Sequence, residues 1–240
     1  MIDLHCHLLP GIDDGSPDLA TSLELARFAV ADGITHAVCT PHVHAGRWEN
    51  QKPAIEALCS EFQDALDQAS ISLKVAPAAE VRIGAEIMDL LFTDQLPFLG
   101  ELDGKRVLLL ELPHGQIPVG ADNLVRWLNS QGVWPLIAHP ERNKDVIRDP
   151  ARLDAILQHD CGLQVTADSV AGGFGPMAQQ RAIELLEQGL VTLIASDAHN
   201  LEHRPPRLSA GYKVIKQVFG EQQADDLVMN MPWSIAGARF

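Results

Sequence analysis

Five short blocks, far apart along the chain, contain side chains that can bind metal ions. They combine histidines with carboxylates, and most follow an apolar run of strand length. In an α/β barrel, the residues that follow the strands meet at one end of the fold. These side chains are therefore expected to form one site for divalent cations. The blocks are residues 3–7 (DLHCH), 40–42 (TPH), 110–113 (LELP), 138–142 (AHPER) and 195–199 (ASDAH).

The spacing of these residues predicts which of them point together. His5 and His7 are two residues apart, so in a strand both face one side while Cys6 faces the other. Alone, such a pair could equally be two hydrogen-bonded core histidines. Glu111 is more telling, because a carboxylate inside the run LLLEL is costly to bury without a cation. Further candidates at or after strand-like runs are Asp14, His42, Glu80, His139, Asp197 and His199.

Composition excludes several classes of function. The formal net charge is −14, with 18 basic against 32 acidic residues, which disfavours a basic surface for nucleic acid or for membrane lipids. The four cysteines form no C-x-x-C pair, and none has an arginine six positions later. A thiolate zinc site and a cysteine-nucleophile phosphatase loop are therefore not expected.

The chain carries no sign of export or of membrane insertion. The first candidate ligand is the fifth residue, which leaves no room for a signal peptide before it. No apolar run approaches the roughly 18 residues that span a bilayer. We expect a cytoplasmic protein with reduced cysteines.

Short apolar runs alternate with helical segments and predict a β-α unit repeated seven times. No G-x-G-x-x-G motif follows the first run, and candidate ligands follow most runs, so a barrel is favoured over an open, doubly wound sheet. Residues 1–240 are expected to form a single domain. The seven runs are residues 2–5, 37–40, 73–76 continuing to 80, 107–112, 134–139, 163–166 and 191–196.

Helix boundaries are marked by prolines and glycines. Residues 16–17 (SP) are expected to open a helix that Gly33 ends, and residues 149–150 (DP) to open another. The last segment predicts helices over residues 208–219 and 221–230, followed by a short tail.

Several strings of the sequence resemble those of one known family. They are MIDLHCHLLPGIDDG at residues 1–15, TPH at 40–42, AHPERN at 138–143, SVAGGFG at 169–175 and ASDAHN at 195–200. In order and spacing they resemble the bacterial capsule-type protein-tyrosine phosphatases of the polymerase-and-histidinol-phosphatase (PHP) superfamily. The resemblance covers about residues 1–205 and implies a distorted seven-stranded (β/α) barrel that holds three divalent ions, commonly manganese.

The resemblance also implies how the ligands are shared among the ions. One ion is expected to bind His5, His7, Glu111 and Asp197, and a second Asp14, His42, Glu80 and His199. Glu111 and His139 are expected to contact a third, more open ion. Arg142 and Arg204 match arginines that bind phosphate in the family, a role that suits a planar guanidinium; a surface salt bridge is the alternative for each.

Charge and ligand type are consistent with a phosphate site. Three divalent ions against four carboxylates would leave two positive charges, which would attract a phosphate dianion. Imidazole and carboxylate ligands suit manganese, iron, cobalt or zinc, and only the resemblance favours manganese.

A metal cluster of this kind predicts attack on phosphorus by metal-bound hydroxide. No general acid is assigned, because a tyrosine leaving group needs little protonation; His44 and His114 are expected to be ordinary loop residues.

The favoured function is hydrolysis of phosphotyrosine on a protein, namely a membrane-associated tyrosine kinase that controls capsule or exopolysaccharide synthesis. One alternative is a phosphatase of the same superfamily for histidinol phosphate or another small phosphomonoester. A second is an amidohydrolase-like or nuclease barrel, which often uses a carboxylated strand lysine; here the only strand candidate is Lys74. A non-enzymatic module is the third, and the complete ligand set argues against it.

Overall fold

The structure is a computed structural model that describes residues 1–240. Eleven strands follow one another along the chain, most of them short and buried. They are β1 (Ile2–Cys6), β2 (His36–Cys39), β3 (His42–His44), β4 (Trp48–Glu49), β5 (Lys74–Pro77), β6 (Glu80–Arg82), β7 (Gly100–Leu102), β8 (Lys105–Glu111), β9 (Val133–Ala138), β10 (Gly162–Thr166) and β11 (Val191–Ala195).

Eleven α-helices connect and cover the strands. They are α1 (Leu19–Asp32), α2 (Lys52–Gln68), α3 (Glu86–Phe92), α4 (Ala121–Ser130), α5 (Lys144–Arg148), α6 (Asp154–Leu157), α7 (Ala167–Ala171), α8 (Pro176–Glu187), α9 (Ser209–Phe219), α10 (Glu221–Asp225) and α11 (Met231–Ala236). Short 3₁₀ turns at Pro140–Arg142, Pro150–Leu153 and Gly237–Arg239 and a π-helical turn at Asp226–Asn230 complete the chain. No helix has both the length and the apolar character needed to cross a membrane.

The strands form two sheets, one parallel and one mixed. The smaller sheet has the order β1-β2-β5 and is parallel. The larger has the order β11-β10-β9-β8-β6-β3-β4, with β7 paired to β8. All pairs of the larger sheet are parallel except β3 with β4 and β7 with β8. The carboxyl ends of most strands therefore lie on the same side of the molecule.

Apolar residues pack on both faces of the sheets, as buried parallel strands require. One cluster lies between the strands and the surrounding helices, and includes Leu25, Phe62 and Leu185. A second, smaller cluster is built from alternate strand residues. Its members from the strands and α11 include Ile2, Leu4, Val38, Ala76, Val107, Leu109, Leu136, Leu193 and Ile235.

The first and last strands of the chain, β1 and β11, are joined near their carboxyl ends. His7 N donates to Ala198 O at 2.9 Å and Asp197 N to His5 O at 2.7 Å, and an isolated parallel bridge joins Cys6 to Ala198. Beside β2, Ala78 N, directly after β5, donates to the O atom of Cys39, the last residue of β2, at 2.9 Å. The α/β class is as expected, and a closed barrel stays a prediction.

The sequence-based boundaries were wrong at several points. The second run matches β2 to within one residue, but the strand β3 that follows it was not predicted. The third run is interrupted after β5, and the chain continues in the other sheet as β6 from Glu80. The first helix begins at Leu19, because the Asp18 carboxylate caps it by accepting from Thr21 N at 2.8 Å. Gly33 ends this helix at φ 94°, as predicted. The expected C-terminal tail is partly helical, since α11 packs against β1 and β7.

Candidate metal centre

The structure brings all nine candidate ligands together where β1, β8, β9 and β11 end and where β3 and β6 begin. His5 lies in β1 and Glu111 ends β8, while His42 and Glu80 begin β3 and β6. The other candidates lie in loops that directly follow strands or, in one case, in the first β-α loop; these are His7, Asp14, His139, Asp197 and His199.

A register shift explains how β1 and the residue after it supply two histidines to the site. Leu4 belongs to the second, smaller apolar cluster, so in a regular strand His5 would face away from that cluster. The pairing of β1 with β2 shifts between Asp3 and Cys6, which interrupts the alternation and allows His5 to enter the site. Cys6 packs instead in the larger apolar cluster, between the strands and the surrounding helices.

The most buried group of candidates surrounds Glu80. The Nε2 atom of His5 lies 3.3 Å from both Glu80 Oε2 and Asp197 Oδ1. The Nε2 atom of His7 lies 3.5 Å from Glu80 Oε2 and 3.4 Å from Asp197 Oδ1. All four side chains are at most 1% exposed. Two imidazoles and two carboxylates thus converge on one small volume.

A second group is open to solvent on one side. It consists of His7, Asp14, His42 and His199. Asp14 Oδ1 lies 3.3 Å from His42 Nε2 and 3.5 Å from His199 Nε2. The Asp14 side chain is 45% exposed, whereas the His199 side chain is 4% exposed. Ions or ligands could reach this group from the solvent.

A third group comprises His42, Glu80 and Glu111. His42 Nδ1 lies 3.0 Å from Glu80 Oε2 and 4.0 Å from Glu111 Oε2, and His139 Nε2 lies 2.7 Å from Glu80 Oε1. This grouping differs from the one that the resemblance implies: Glu80, not Glu111, lies with His5 and His7. The Glu111 carboxylate instead pairs with Arg82 at 2.7 Å.

Several buried polar atoms of the cluster have no hydrogen-bond partner. They are Nδ1 of His42, Oε2 of Glu80, Oδ1 of Asp197 and Nε2 of His199. Buried polar atoms are rarely left without a partner, because the loss of hydration is expensive. The four atoms all belong to the groups described above and are of the types that bind divalent cations. The residues therefore fit a multinuclear metal site.

The electrostatics of the cluster also fit cation binding. Burial and the negative charge of Glu80 raise the pKa of Glu111 to about 7. Burial alone would lower the pKa of His42, but the close carboxylates of Asp14 and Glu80 raise it to about 9. Burial lowers the pKa of His139 to about 4. Cations would favour ionised carboxylates and neutral imidazoles, and would thus remove the repulsion that raises the pKa of Glu111.

Two positions in the cluster have a strained backbone. His139 has φ 34° and Asp197 has φ 51°, in the left-handed region that residues other than glycine rarely adopt. Such strain costs about 1–3 kcal/mol and persists only where the surrounding structure imposes it. At these two strand ends it turns a ligand candidate toward the centre of the site.

The two arginines lie at the same site. Both Arg142 and Arg204 donate from Nη2 to Asp197 Oδ2. The guanidinium of Arg142 also lies 4.6 Å from the ring centroid of Phe174. Both arginines line a cavity of about 470 Å³ whose floor contains Glu80. Positive charge is therefore placed beside the candidate metal centre, where an anion could bind.

The loops after the strands shape the mouth of this cavity. Trp48 stacks on His42 with ring centroids 4.6 Å apart and planes 11° apart. His44 and His114 line the cavity as well, and neither forms a hydrogen bond with a candidate ligand. The aromatic residues that the sequence suggested for the mouth, Trp48 and Phe174, both contribute to its wall.

Besides Arg82, two residues that the sequence did not mark as site residues contact imidazoles of the candidate ligands. Asp13 Oδ2 lies 2.7 Å from His7 Nδ1, and Gln164 Oε1 lies 2.7 Å from His5 Nδ1. Each contact fixes the ring so that Nε2 is free to bind a cation. A signal existed for both: Asp13 adjoins Asp14, and Gln164 is a polar residue within the strand run LQVT.

Replacing Asp13 should therefore weaken metal binding without removing a ligand. In the Asp13→Asn variant we expect the affinity for divalent ions to fall by about 10- to 100-fold, as for other partners of metal-binding histidines. A competitive chelator titration measures this change. Asp64→Asn on the exposed face of α2 is the matched control. Equal affinities for the two variants would contradict the role given to Asp13.

Fold and site together define an α/β protein with a candidate metal centre at the ends of its parallel strands. The chain belongs to the CpsB/CapC family: the family model described as "Capsular polysaccharide synthesis, CpsB/CapC" matches residues 1–236.

Relatives of known name agree with this assignment. The chain is 35% identical over 222 residues to tyrosine-protein phosphatase YwqE of Bacillus subtilis, covering 92% of this chain and 86% of YwqE. It is 27% identical to tyrosine-protein phosphatase CpsB of Streptococcus pneumoniae, covering 98% of both chains.

Comparison with solved structures supports the same family assignment. One chain from the crystal structures of YwqE and CpsB, described as unique metal-dependent tyrosine phosphatases, superposes with a TM-score of 0.90 at 34% identity. The match covers 97% of this chain and 93% of that one. An organophosphorus hydrolase from Deinococcus radiodurans matches with a TM-score of 0.58 at 16% identity, a likeness of fold alone.

Proposed function

We propose that this protein is a metal-dependent phosphomonoesterase that hydrolyses phosphotyrosine on proteins. The observation that carries the proposal is the cluster of buried imidazoles and carboxylates at the floor of a cavity whose wall holds Arg142 and Arg204. Membership of the CpsB/CapC family and the names of its relatives support the choice of substrate.

The proposal includes three divalent ions, with manganese favoured and iron, cobalt or zinc possible. The residues that would hold them are His5, His7, Asp14, His42, Glu80, Glu111, His139, Asp197 and His199. Bound ions would supply Lewis acidity to the phosphoryl group and to the attacking water. The three groups overlap, since His7, His42 and Glu80 each belong to two of them.

The remaining roles belong to residues of the chain. With cations beside Asp197, Arg142 and Arg204 would be released to bind the phosphoryl oxygens, for which planar guanidinium groups are suited. Asp13 and Gln164 would orient His7 and His5. Trp48 and Phe174 would bound the space taken by the phenol ring and would exclude water from it.

We further propose one domain over residues 1–240 with the strands closed into a distorted seven-stranded barrel of PHP type. The hydrogen bonds between the ends of β1 and β11 support closure.

The substrate we propose is a membrane-associated tyrosine kinase that controls capsule or exopolysaccharide synthesis. The proposal includes a cytoplasmic location, because ATP-dependent tyrosine phosphorylation takes place there.

Metal removal tests the proposed function. Purified protein should contain divalent ions by elemental analysis and should hydrolyse a phosphotyrosine peptide; chelation should abolish the activity, and added manganese should restore it. Activity that survives complete metal removal would contradict the proposal.

Histidinol phosphate provides the comparison for the second candidate of the same superfamily. A much higher kcat/KM on histidinol phosphate than on the peptide would make the protein a small-molecule phosphatase. Amidase or nuclease activity without phosphatase activity would favour the amidohydrolase-like alternative.

A further inference from the structure

A second cavity lies beside the candidate active site. Its volume is about 330 Å³, and Trp48 and Arg82 line both cavities. These two residues therefore form a shared wall. The wall is attached to the metal centre, since Trp48 stacks on His42 and Arg82 pairs with Glu111 at 2.7 Å. We refer to the second cavity as the side groove.

The side groove has an apolar floor. Val43 of β3, Val81 of β6 and Ile87 of α3 are 8%, 1% and 1% exposed, and their side chains line the groove beside the partly exposed Leu90. Concave apolar surface of this kind, open to solvent, is a common feature of sites that bind side chains of a partner.

The rim of the side groove is acidic. Glu86 and Asp89 lie one turn apart on α3, are exposed, and form no salt bridge in the structure. Glu49 lies on the rim as well and accepts from Gly46 N at 3.2 Å. By contrast, the cavity across the shared wall is lined by Arg142, Lys144 and Arg204 among other residues. The two neighbouring cavities thus differ in charge.

We infer that the side groove binds the residues of the substrate protein that flank the phosphotyrosine, and that it selects an apolar residue next to a lysine or arginine. This inference rests on the proposed function. Only the shared wall of Trp48 and Arg82 separates the groove from the cavity that would take the phosphotyrosine, and adjacent residues of an extended peptide are only about 3.3–3.6 Å apart. The apolar floor would bury one flanking side chain, and the acidic rim complements a basic one.

Two phosphotyrosine peptides test the inference, one with leucine and lysine next to the phosphotyrosine and one with serine and glutamate there. The unmodified protein should have a KM about three- to tenfold lower for the leucine-lysine peptide, with similar kcat values. The Glu86→Gln/Asp89→Asn variant should lose this preference. Its constants for p-nitrophenyl phosphate, which has no flanking amino-acid residues to enter the groove, should not change.

A filled groove provides a second, independent variant. Ala45 is exposed and lines the side groove, so Ala45→Trp should occupy its volume without replacing a core residue. We expect a higher KM for the leucine-lysine peptide and unchanged constants for p-nitrophenyl phosphate. Glu61→Gln/Asp64→Asn is the matched control, because these exposed residues have the same spacing on α2. The control should keep the peptide preference.

Equal KM values for the two peptides in the unmodified protein would overturn the inference, and so would a preference that survives in both groove variants. Fluorescence anisotropy of labelled peptides with the chelated protein separates this result from failure of the proposed function. If the protein hydrolyses neither substrate but still binds the leucine-lysine peptide more tightly, and the groove variants abolish that difference, the groove binds peptide and the phosphatase proposal fails.

Discussion

The Glu80→Gln variant is expected to lose most of its divalent metal and more than about 100-fold of its kcat/KM on phosphotyrosine peptides. Glu80 is 1% exposed, and its two carboxylate oxygens lie within 3.5 Å of nitrogen atoms of His5, His7, His42 and His139. Replacing even the partners of metal-binding histidines costs about 10- to 100-fold. Loss of an anionic ligand shared by two groups should cost more.

Metal content and thermal stability together check this prediction. A ligand that binds only the folded state raises its stability, so manganese should raise the Tm of the unmodified protein and raise that of Glu80→Gln much less. Glu101→Gln, on the exposed face of β7, is the control and should behave like the unmodified protein. Full metal content and full activity in Glu80→Gln would exclude Glu80 from the centre.

The Arg142→Ala variant is expected to lose about 10- to 150-fold in kcat/KM and to bind inorganic phosphate more weakly. Hydrogen bonds to charged groups contribute about 1.5–3 kcal/mol, and each 1.4 kcal/mol is about tenfold. Arg142→Lys should recover only part of the loss, because an ammonium group cannot pair with two phosphoryl oxygens at once. Inhibition by phosphate, measured beside kcat and KM, reports directly on anion binding.

A structural effect of Arg142 must be separated from this result. Arg142 also contacts Asp197 and Phe174, so its loss could disturb the site indirectly. Metal content should therefore be measured in the same variants and should remain near that of the unmodified protein. Arg126→Ala, exposed on α4, is the matched control. If phosphate inhibits Arg142→Ala and the unmodified protein equally, Arg142 does not bind the phosphoryl group.

The sequence predicted which residues gather at the site because most candidates lie in or directly after a recognisable apolar run. Glu111 ends β8 and Asp197 follows β11, so the parallel pairing of the larger sheet places both at the same end of the strands. The same reasoning predicted that His5 belongs to the site, but it did not predict the register shift between Asp3 and Cys6. A shift of this kind depends on pairing with β2, and spacing within β1 carries no sign of it.

The sequence also did not predict which candidate side chains lie next to one another. The resemblance implied Glu111 beside His5 and His7, whereas the structure has Glu80 there. Glu111 instead lies toward Arg82, a residue that no motif singled out. Strand order determines this difference, because β6 lies between β3 and β8 in the larger sheet. Non-local pairing of this type cannot be read from periodicity.

The contact between the segments at the ends of β1 and β11 affects how the protein folds during synthesis. The candidate centre takes His5 from β1 and Asp197 from the loop after β11, residues separated by most of the chain. Contacts between such distant positions form late, since the cost of closing the intervening chain comes first. A ribosome-bound chain that has not yet exposed the segment after β11 therefore lacks Asp197 and His199, and the complete centre forms only late in synthesis.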